Sequence, residues 1–488
     1  MNAPLRRVSV ALLVLLGLLL GNLTYVQFFR NDYYRNHPDN RRVQLQEYQR
    51  QRGNIIVDNQ AIATSVDTGE DQELRFQRYY PQGELYAHIV GYNSLNYGLT
   101  GLEAQYDEIL SGDDDRLFVR RVSDIITGRR PVGGDVYLTI SGAAQQVAYN
   151  ELLEDGGLGG RGAVVALDPT TGAILALVST PSFDPNPLVS HNIAEEEEAW
   201  NRYQSDELDP MLNRALSDNY PPGSTFKIVV SAAALATGQY TPESMLPAGP
   251  SFTPEQTTVE IRNSTPSTCP EAQVSFIEAV TVSCNTAFAR LGTELGADAV
   301  QDMARRFGFE DDSLRIPLPV AASHTGDMPD PPALAQSCIG QRDVRMTPLQ
   351  GAMIAAAVAN GGRLMRPYLV DRVTGPPGVG TLEVTEPEEY GRPLTESQAE
   401  DLREMMISVV DNGTGRRAAI DGVTVGGKTG TAQNAAEANT HGWFIGFALE
   451  DGQPRVAVAV FLDRYGDGGS GRAAEIAGHV MRAVLDAR

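Results

Sequence analysis

The chain has 488 residues and a net charge of −23. That length calls for two or more domains, and a hydrophobic content of 42% is enough to give each a core. So acidic a chain repels phosphate backbones, which argues against nucleic acid as a partner.

Of 39 basic residues only two are lysine, Lys227 and Lys428. Arginine cannot give up its proton in a protein and lysine can, so these two positions are candidates for acid–base chemistry. Three cysteines, Cys269, Cys284 and Cys338, form no Cys-x-x-Cys pair. Neither a zinc nor a redox motif is indicated, and no metal or cofactor is expected.

In chain order, Arg6 and Arg7 precede an apolar stretch from Val8 to Phe29. About 20 apolar residues cross a bilayer as a helix. The preceding positive charge puts residues 1–7 in the cytoplasm and the rest of the chain outside. The competing reading, a cleaved signal peptide, lacks a small-x-small site after Leu20. A single-pass signal anchor at 8–29 is expected. Residues 30–158 are polar, with short strand-like runs such as Asn54–Val57 and Asp135–Ile140, and read as an elongated pedestal. The glycine cluster Gly156–Gly160 marks a junction. From 159 to 488 the pattern is that of an α/β domain. Gly162–Asp168 and Ala173–Val178 form a hairpin signal around Pro169–Gly172. A helical middle follows, then strands near Lys428, Trp443 and Val456–Leu462, and a closing helix from about Ala473. The stretches 316–332 and 374–393 read as loops or insertions.

Three short segments carry chemistry. Pro221-Pro222-Gly223 opens an apolar helix, placing Ser224 in its first turn and Lys227 three residues on, on the same face. A serine hydroxyl is a weak nucleophile that needs a neighbouring base. Burial and a helix N-terminus both lower a lysine pKa, making Lys227 that base. Alone, the pair is equally an ordinary helix cap beside a solvated lysine. Ser283-Cys284-Asn285 sets a hydroxyl and an amide two residues apart, where they can enter one cleft. Ser283 suits proton relay to a leaving amine, and Asn285 suits orienting the lysine and a substrate amide. Lys428-Thr429-Gly430-Thr431 sits on a strand whose glycines let a ligand backbone lie close. Residues 422–429 also satisfy Gly-x4-Gly-Lys-Thr, the phosphate-loop pattern. A phosphate loop opens a helix, whereas here a polar stretch and another strand follow.

Ser-x-x-Lys, Ser-x-Asn and Lys-Thr-Gly in that order form the signature set of penicillin-binding proteins and serine β-lactamases. Both lysines of the chain fall within it. The chain resembles the class B penicillin-binding proteins over nearly its whole length, and most of all the actinobacterial penicillin-binding protein A type. Arg52-Gly53-Asn54-Ile55-Ile56 is similar to the first pedestal motif of that class. Gly101-Leu102-Glu103 with Leu110-Ser111-Gly112 resembles the second, and Leu138-Thr139-Ile140 with Gln145 the pedestal's end. Gly340-Gln341 with Thr347-Pro348-Leu349-Gln350 resembles a transpeptidase helix. Asp58-Asn59-Gln60 departs from the usual Asp-Arg-Asn-Gly turn.

The resemblance implies an α/β (α+β) transpeptidase domain with a central antiparallel sheet flanked by helices. It implies a peptidoglycan D,D-transpeptidase acting through a Ser224 acyl-enzyme with release of D-Ala. The oxyanion would lie between the backbone N–H groups of Ser224 and Thr431, and Lys428, Thr429, Gly430 and Thr431 would bind substrate. β-Lactams would acylate Ser224. Expected partners are stem peptides, the membrane, a SEDS-family glycosyltransferase and other elongation or division proteins. A class A β-lactamase would need a glutamate between the second and third motifs, and none lies between Asp311 and Leu382. A D-Ala-D-Ala carboxypeptidase or a catalytically silent β-lactam sensor or scaffold are the alternatives, though no motif is broken. Outside the cell a Cys269–Cys284 disulfide is expected to brace the second motif, leaving Cys338 unpaired. His441 reads as structural or substrate-adjacent.

Overall fold

A computed structural model of the chain describes residues 2–30, 33–34, 48–69, 74–127, 130–433 and 439–487. The helix Asn2–Thr24 continues as a π-turn over Tyr25–Phe29. Its span Arg6–Phe29 is the one helix, among the described residues, long and apolar enough to cross a membrane, and none of the described residues buries it.

The pedestal is built on a six-stranded sheet, in the order 381–384, 370–374, 135–138, 55–57, 60–67 and 76–79. Ile55–Val57 pairs parallel with the strand from Asp135 and antiparallel with the strand from Gln60. The turn joining that antiparallel pair uses Asp58 and Asn59 at φ of 48° and 62°. Asp and Asn tolerate this left-handed region better than most side chains, so the departure from the usual turn sequence still closes a tight hairpin. The Asp58 carboxylate then accepts the N–H of Gly142 at 2.7 Å.

Below the sheet lies a buried ionic cluster. Glu103, fully buried, takes Arg52 Nε at 2.6 Å and Arg78 Nε at 2.5 Å on its two oxygens. Arg52 also reaches Asp107 at 2.6 Å. Burial pushes the Glu103 carboxyl up, but the two guanidiniums outweigh it and hold it below the ordinary range.

The second domain is three layers. Its five-stranded sheet is antiparallel throughout, ordered 424–432, 441–450, 453–462, 162–167 and 174–180. One face is covered by the helix Pro348–Ala359, whose 12 residues are all buried. Thr347 caps it by accepting the Gln350 N–H, and Pro348 starts it. An all-apolar helix of this kind belongs inside a core. The other face is covered by Gly469–Asp486 and Gly142–Asp155.

One sequence expectation is corrected here, and the helix just before the boundary expected at 158 packs on the second domain. Residues 142–155 pack Ala144, Ala148 and Leu152 against the second sheet. The buried Gln145 amide donates to Leu177 O and accepts from Leu177 N, both at 2.8 Å, and so acts as a strand neighbour for the sheet edge. The stretch 374–393, expected to be loop, contributes strands 381–384 and 389–391, and 370–374 joins the pedestal sheet. The strand 381–384 is mostly exposed, so no apolar alternation announces it. The chain thus returns to the pedestal after it has entered the catalytic domain.

Glu103→Gln is expected to lower unfolding free energy by about 3–5 kcal/mol, because it leaves the buried Arg78 guanidinium without its anion and Arg52 with Asp107 alone. Denaturant melts of wild type and variant measure this, and a midpoint unchanged by the substitution would contradict it.

Candidate active site

Ser224 lies on a 3-10 turn, Gly223–Phe226, that runs directly into the helix Lys227–Ala236. Gly223 has φ of 54°, and a Cβ there would come within 2.5 Å of Thr431 O, so no other residue suits this position. Its N–H bonds to Gly340 O at 2.9 Å, and Trp443 Nε1 donates to Pro221 O at 3.0 Å. These contacts seat the turn between the 340–341 segment and the sheet. Ser224 is half-buried at the floor of a cleft of about 1280 Å³, whose walls include Ser283, Asn285, Thr414, Thr429 and Thr431.

Lys227 is buried with the rest of its helix. Its Nζ donates to Asn285 Oδ1 at 2.7 Å and to Ser283 O at 2.8 Å, with Ser283 Oγ at 3.2 Å and the Phe288 ring centroid at 5.4 Å. Burial, and secondarily the cation of Lys428, push the amine well below its ordinary pKa of 10.5. The first two sequence motifs therefore meet at one nitrogen.

Ser283 holds φ of 60°, and Asn285 begins the helix Asn285–Leu295. Cys284 between them is buried and bonded to Cys269, fifteen residues earlier, with a Cα separation of 6.1 Å. Cys338 is a buried free thiol, raised by burial to about 12.

Residues 422–429 form a turn at Gly422, with φ of 77°, and then the strand Thr424–Ala432 at the sheet edge. No helix opens there, so the phosphate-loop reading fails on geometry. Thr429 and Thr431 line the cleft, while Lys428 is buried and donates to Thr429 O at 3.1 Å. Burial lowers its pKa to about 7. A Cβ on Gly430 would meet Pro222 O at 2.7 Å, so the strand backbone at 430–431 abuts the Ser224 turn.

Sequence reasoning missed Thr414. Its hydroxyl lies 2.5 Å from that of Thr429, pairing a loop after the helix Glu396–Asp411 with the lysine strand. No local pattern could have flagged it. His441 borders the cleft, but its Nδ1 takes the N–H of Arg464 at 3.1 Å and its ring packs against Phe461. Among the described residues no group of three His, Cys, Asp or Glu side chains is placed to hold a metal.

Residues 162–482 match the penicillin binding protein transpeptidase domain, and residues 52–136 the penicillin binding protein A dimerisation domain. The chain belongs to the class B penicillin-binding proteins. It is 44% identical to the peptidoglycan D,D-transpeptidase PbpA of Mycolicibacterium smegmatis, over 100% of this chain and 99% of that one. The PbpA of Mycobacterium tuberculosis is also 44% identical, with the same coverage. Among solved structures, penicillin-binding protein A from M. tuberculosis as its imipenem acyl-enzyme complex superposes with a TM-score of 0.85 at 43% identity, covering 90% of this chain and 100% of that one. Among penicillin-binding proteins this chain accordingly carries both the transpeptidase and the dimerisation unit.

Gly430→Ala is expected to force the strand away from the Ser224 turn. A displacement of about 1 Å in such a site costs on the order of 100-fold in rate. Stopped-flow or gel kinetics of fluorescent penicillin labelling checks this, and an unchanged rate would contradict the close approach.

Proposed function

We propose that the chain is a peptidoglycan D,D-transpeptidase that works through an acyl-enzyme on Ser224. One observation carries the mechanism. A neutral lysine amine has two N–H donors and one lone pair. Asn285 Oδ1 and Ser283 O take the two donors at 2.7 and 2.8 Å. The lone pair is then left to face a hydroxyl, of which Ser283 Oγ lies 3.2 Å away, and burial favours the neutral form.

Ser224 Oγ attacks the carbonyl of the penultimate D-Ala of a stem peptide, and its proton passes to Lys227. The developing oxyanion lies between the N–H groups of Ser224 and Thr431, a preorganised donor pair. Collapse breaks the amide bond, and the D-Ala amine leaves with a proton delivered through Ser283. The amine of a neighbouring stem then attacks the ester, loses a proton to the same base, and frees Ser224 as the cross-link forms. Thr429 presents its hydroxyl to the terminal carboxylate, Lys428 supplies positive charge from behind it, and Gly430 and Thr431 run alongside the stem backbone. With its pKa near 7, Lys428 gains a proton more readily once that carboxylate arrives. β-Lactams follow the first half of this path and stop at the acyl-enzyme.

The helix Arg6–Phe29 anchors the chain in the membrane. Arg6 and Arg7 favour a cytoplasmic N-terminus, with residues 30–158 and the catalytic domain outside. The family resemblance supports a SEDS-family glycosyltransferase, and other elongation or division proteins, as partners.

Labelling with a fluorescent penicillin is expected for wild type and absent for Ser224→Ala. Label on the variant would overturn the nucleophile assignment, and D-Ala release from stems without cross-linked product would favour a carboxypeptidase. Lys227→Arg cannot yield a neutral base and is expected to lose acylation by about 10²–10⁴-fold. Lys428→Arg retains charge and should keep a measurable rate, so equal losses would contradict this division of roles. The acylation rate is expected to fall as pH drops and Lys227 takes up a proton. For a buried amine that limb lies well below 10.5. A limb near 10 in a pH–rate profile would show a solvated lysine instead.

A further inference from the structure

The Ser-x-Asn segment is held by a residue outside every motif. The helix Asn285–Leu295 has Cys284 at its N-cap, and that residue offers no side-chain cap. The first N–H groups of a helix have no partner inside it and must find one elsewhere. Here Asn263, 22 residues upstream, accepts both with one oxygen. Its Oδ1 takes Asn285 N at 2.9 Å and Thr286 N at 3.1 Å. Its Nδ2 donates to Thr268 O at 2.8 Å and Gly249 O at 3.1 Å, and approaches Thr286 Oγ1 at 3.4 Å. The adjoining residue completes the hold, because Arg262 O accepts from Asn285 Nδ2 at 3.0 Å.

That last bond decides which way the Asn285 amide points. With Nδ2 committed to Arg262, Oδ1 must face the other way, and there it meets Lys227 Nζ at 2.7 Å. The backbone of Asn285 is fixed by Asn263 and its side chain by Arg262, so two consecutive residues set the atom that orients the base. Asn263 borders the cleft and could be taken for a substrate ligand. Its amide argues otherwise. Two donors and a two-lone-pair oxygen are its whole capacity, and internal partners occupy all of it.

We propose that Asn263 is a positioning residue for acyl transfer, capping the Asn285 helix from another loop so that Asn285 holds the Lys227 amine in register with Ser224. The proposal rests on the Ser224 acyl-enzyme reading. It separates the work of Asn263 from that of the Cys269–Cys284 bond. The disulfide ties the same loop to Cys284 but leaves the two N–H groups and the Asn285 amide free to turn.

The test uses the full chain in detergent, under non-reducing conditions, with fluorescent penicillin. Asn263→Ala is expected to slow the second-order acylation rate roughly tenfold to 100-fold, while the labelling endpoint matches wild type. Asn263→Asp keeps an acceptor at the helix N-terminus and adds charge of the favourable sign, but it turns its second oxygen onto Thr268 O and Gly249 O, so it should recover only part of that loss. An Asn263→Ala rate equal to wild type would overturn the proposal. A reduced endpoint with the labelled fraction reacting at the wild-type rate would also overturn it, since that marks a purely structural role. Wild type and Ser224→Ala run in parallel: label absent from wild type would overturn the acyl-enzyme reading, and this proposal with it, whereas equal rates in wild type and Asn263→Ala would overturn this proposal alone.

Discussion

A lysine amine kept out of water at the start of an apolar helix is the constraint on which the catalytic domain depends. The chain's only two lysines are both buried; burial lowers the pKa of each, and the Lys428 cation lowers that of Lys227 further. For Lys428, a shift from 10.5 to about 7 corresponds to an order of 5 kcal/mol favouring the neutral form in the folded state. The sign matters. The folded pKa lies below the unfolded one, so the unfolded chain binds more protons between about 7 and 10.5, and stability rises with pH across that window. At lower pH the full cost is present. The buried sheet and the helix Pro348–Ala359 offset it with apolar area.

Around that amine the structure allocates hydrogen bonds closely. Two acceptors from the Ser283–Asn285 segment fix Lys227, the Arg262–Asn263 segment fixes Asn285, and the Cys269–Cys284 bond closes the loop between them. Glycines at 223 and 430 are required because two backbones approach too closely for a Cβ. The Ser224–Lys227 segment therefore joins the other two, the polar loop through Lys227 and the lysine strand through the close approaches at Gly223 and Gly430.

The pedestal is tied to this unit more tightly than a simple two-domain chain would require. Strands 370–374 and 381–384 leave the catalytic domain to extend the pedestal sheet, and Gln145 stitches the helix Gly142–Asp155 onto strand 174–180. The Glu103 cluster fixes the far side of the same pedestal sheet through its paired guanidiniums. A chain anchored near residue 29 is thus joined to its cleft through two crossings of the domain boundary.

The amino-acid sequence by itself picked out the residues that the structure gathers at and beside the cleft. Ser224 and Lys227 are one helical turn apart, Ser283 and Asn285 flank one residue, and Thr429 and Thr431 alternate to one face of a strand. Such relations follow from the local periods of helix and strand, and local order is written directly in spacing. The strand context that set Lys428 apart from a phosphate loop was legible for the same reason. Only the tertiary structure decided what depends on segments far apart in the chain. It buried Lys428 behind its threonines, brought Thr414 to Thr429, and set Asn263 under the Asn285 helix. It also carried residues 370–384 back to the pedestal and seated the helix Gly142–Asp155 on the second sheet. Burial, and the pairing of a polar group with a partner dozens of residues away, are properties of packed elements, and no period within either segment encodes them.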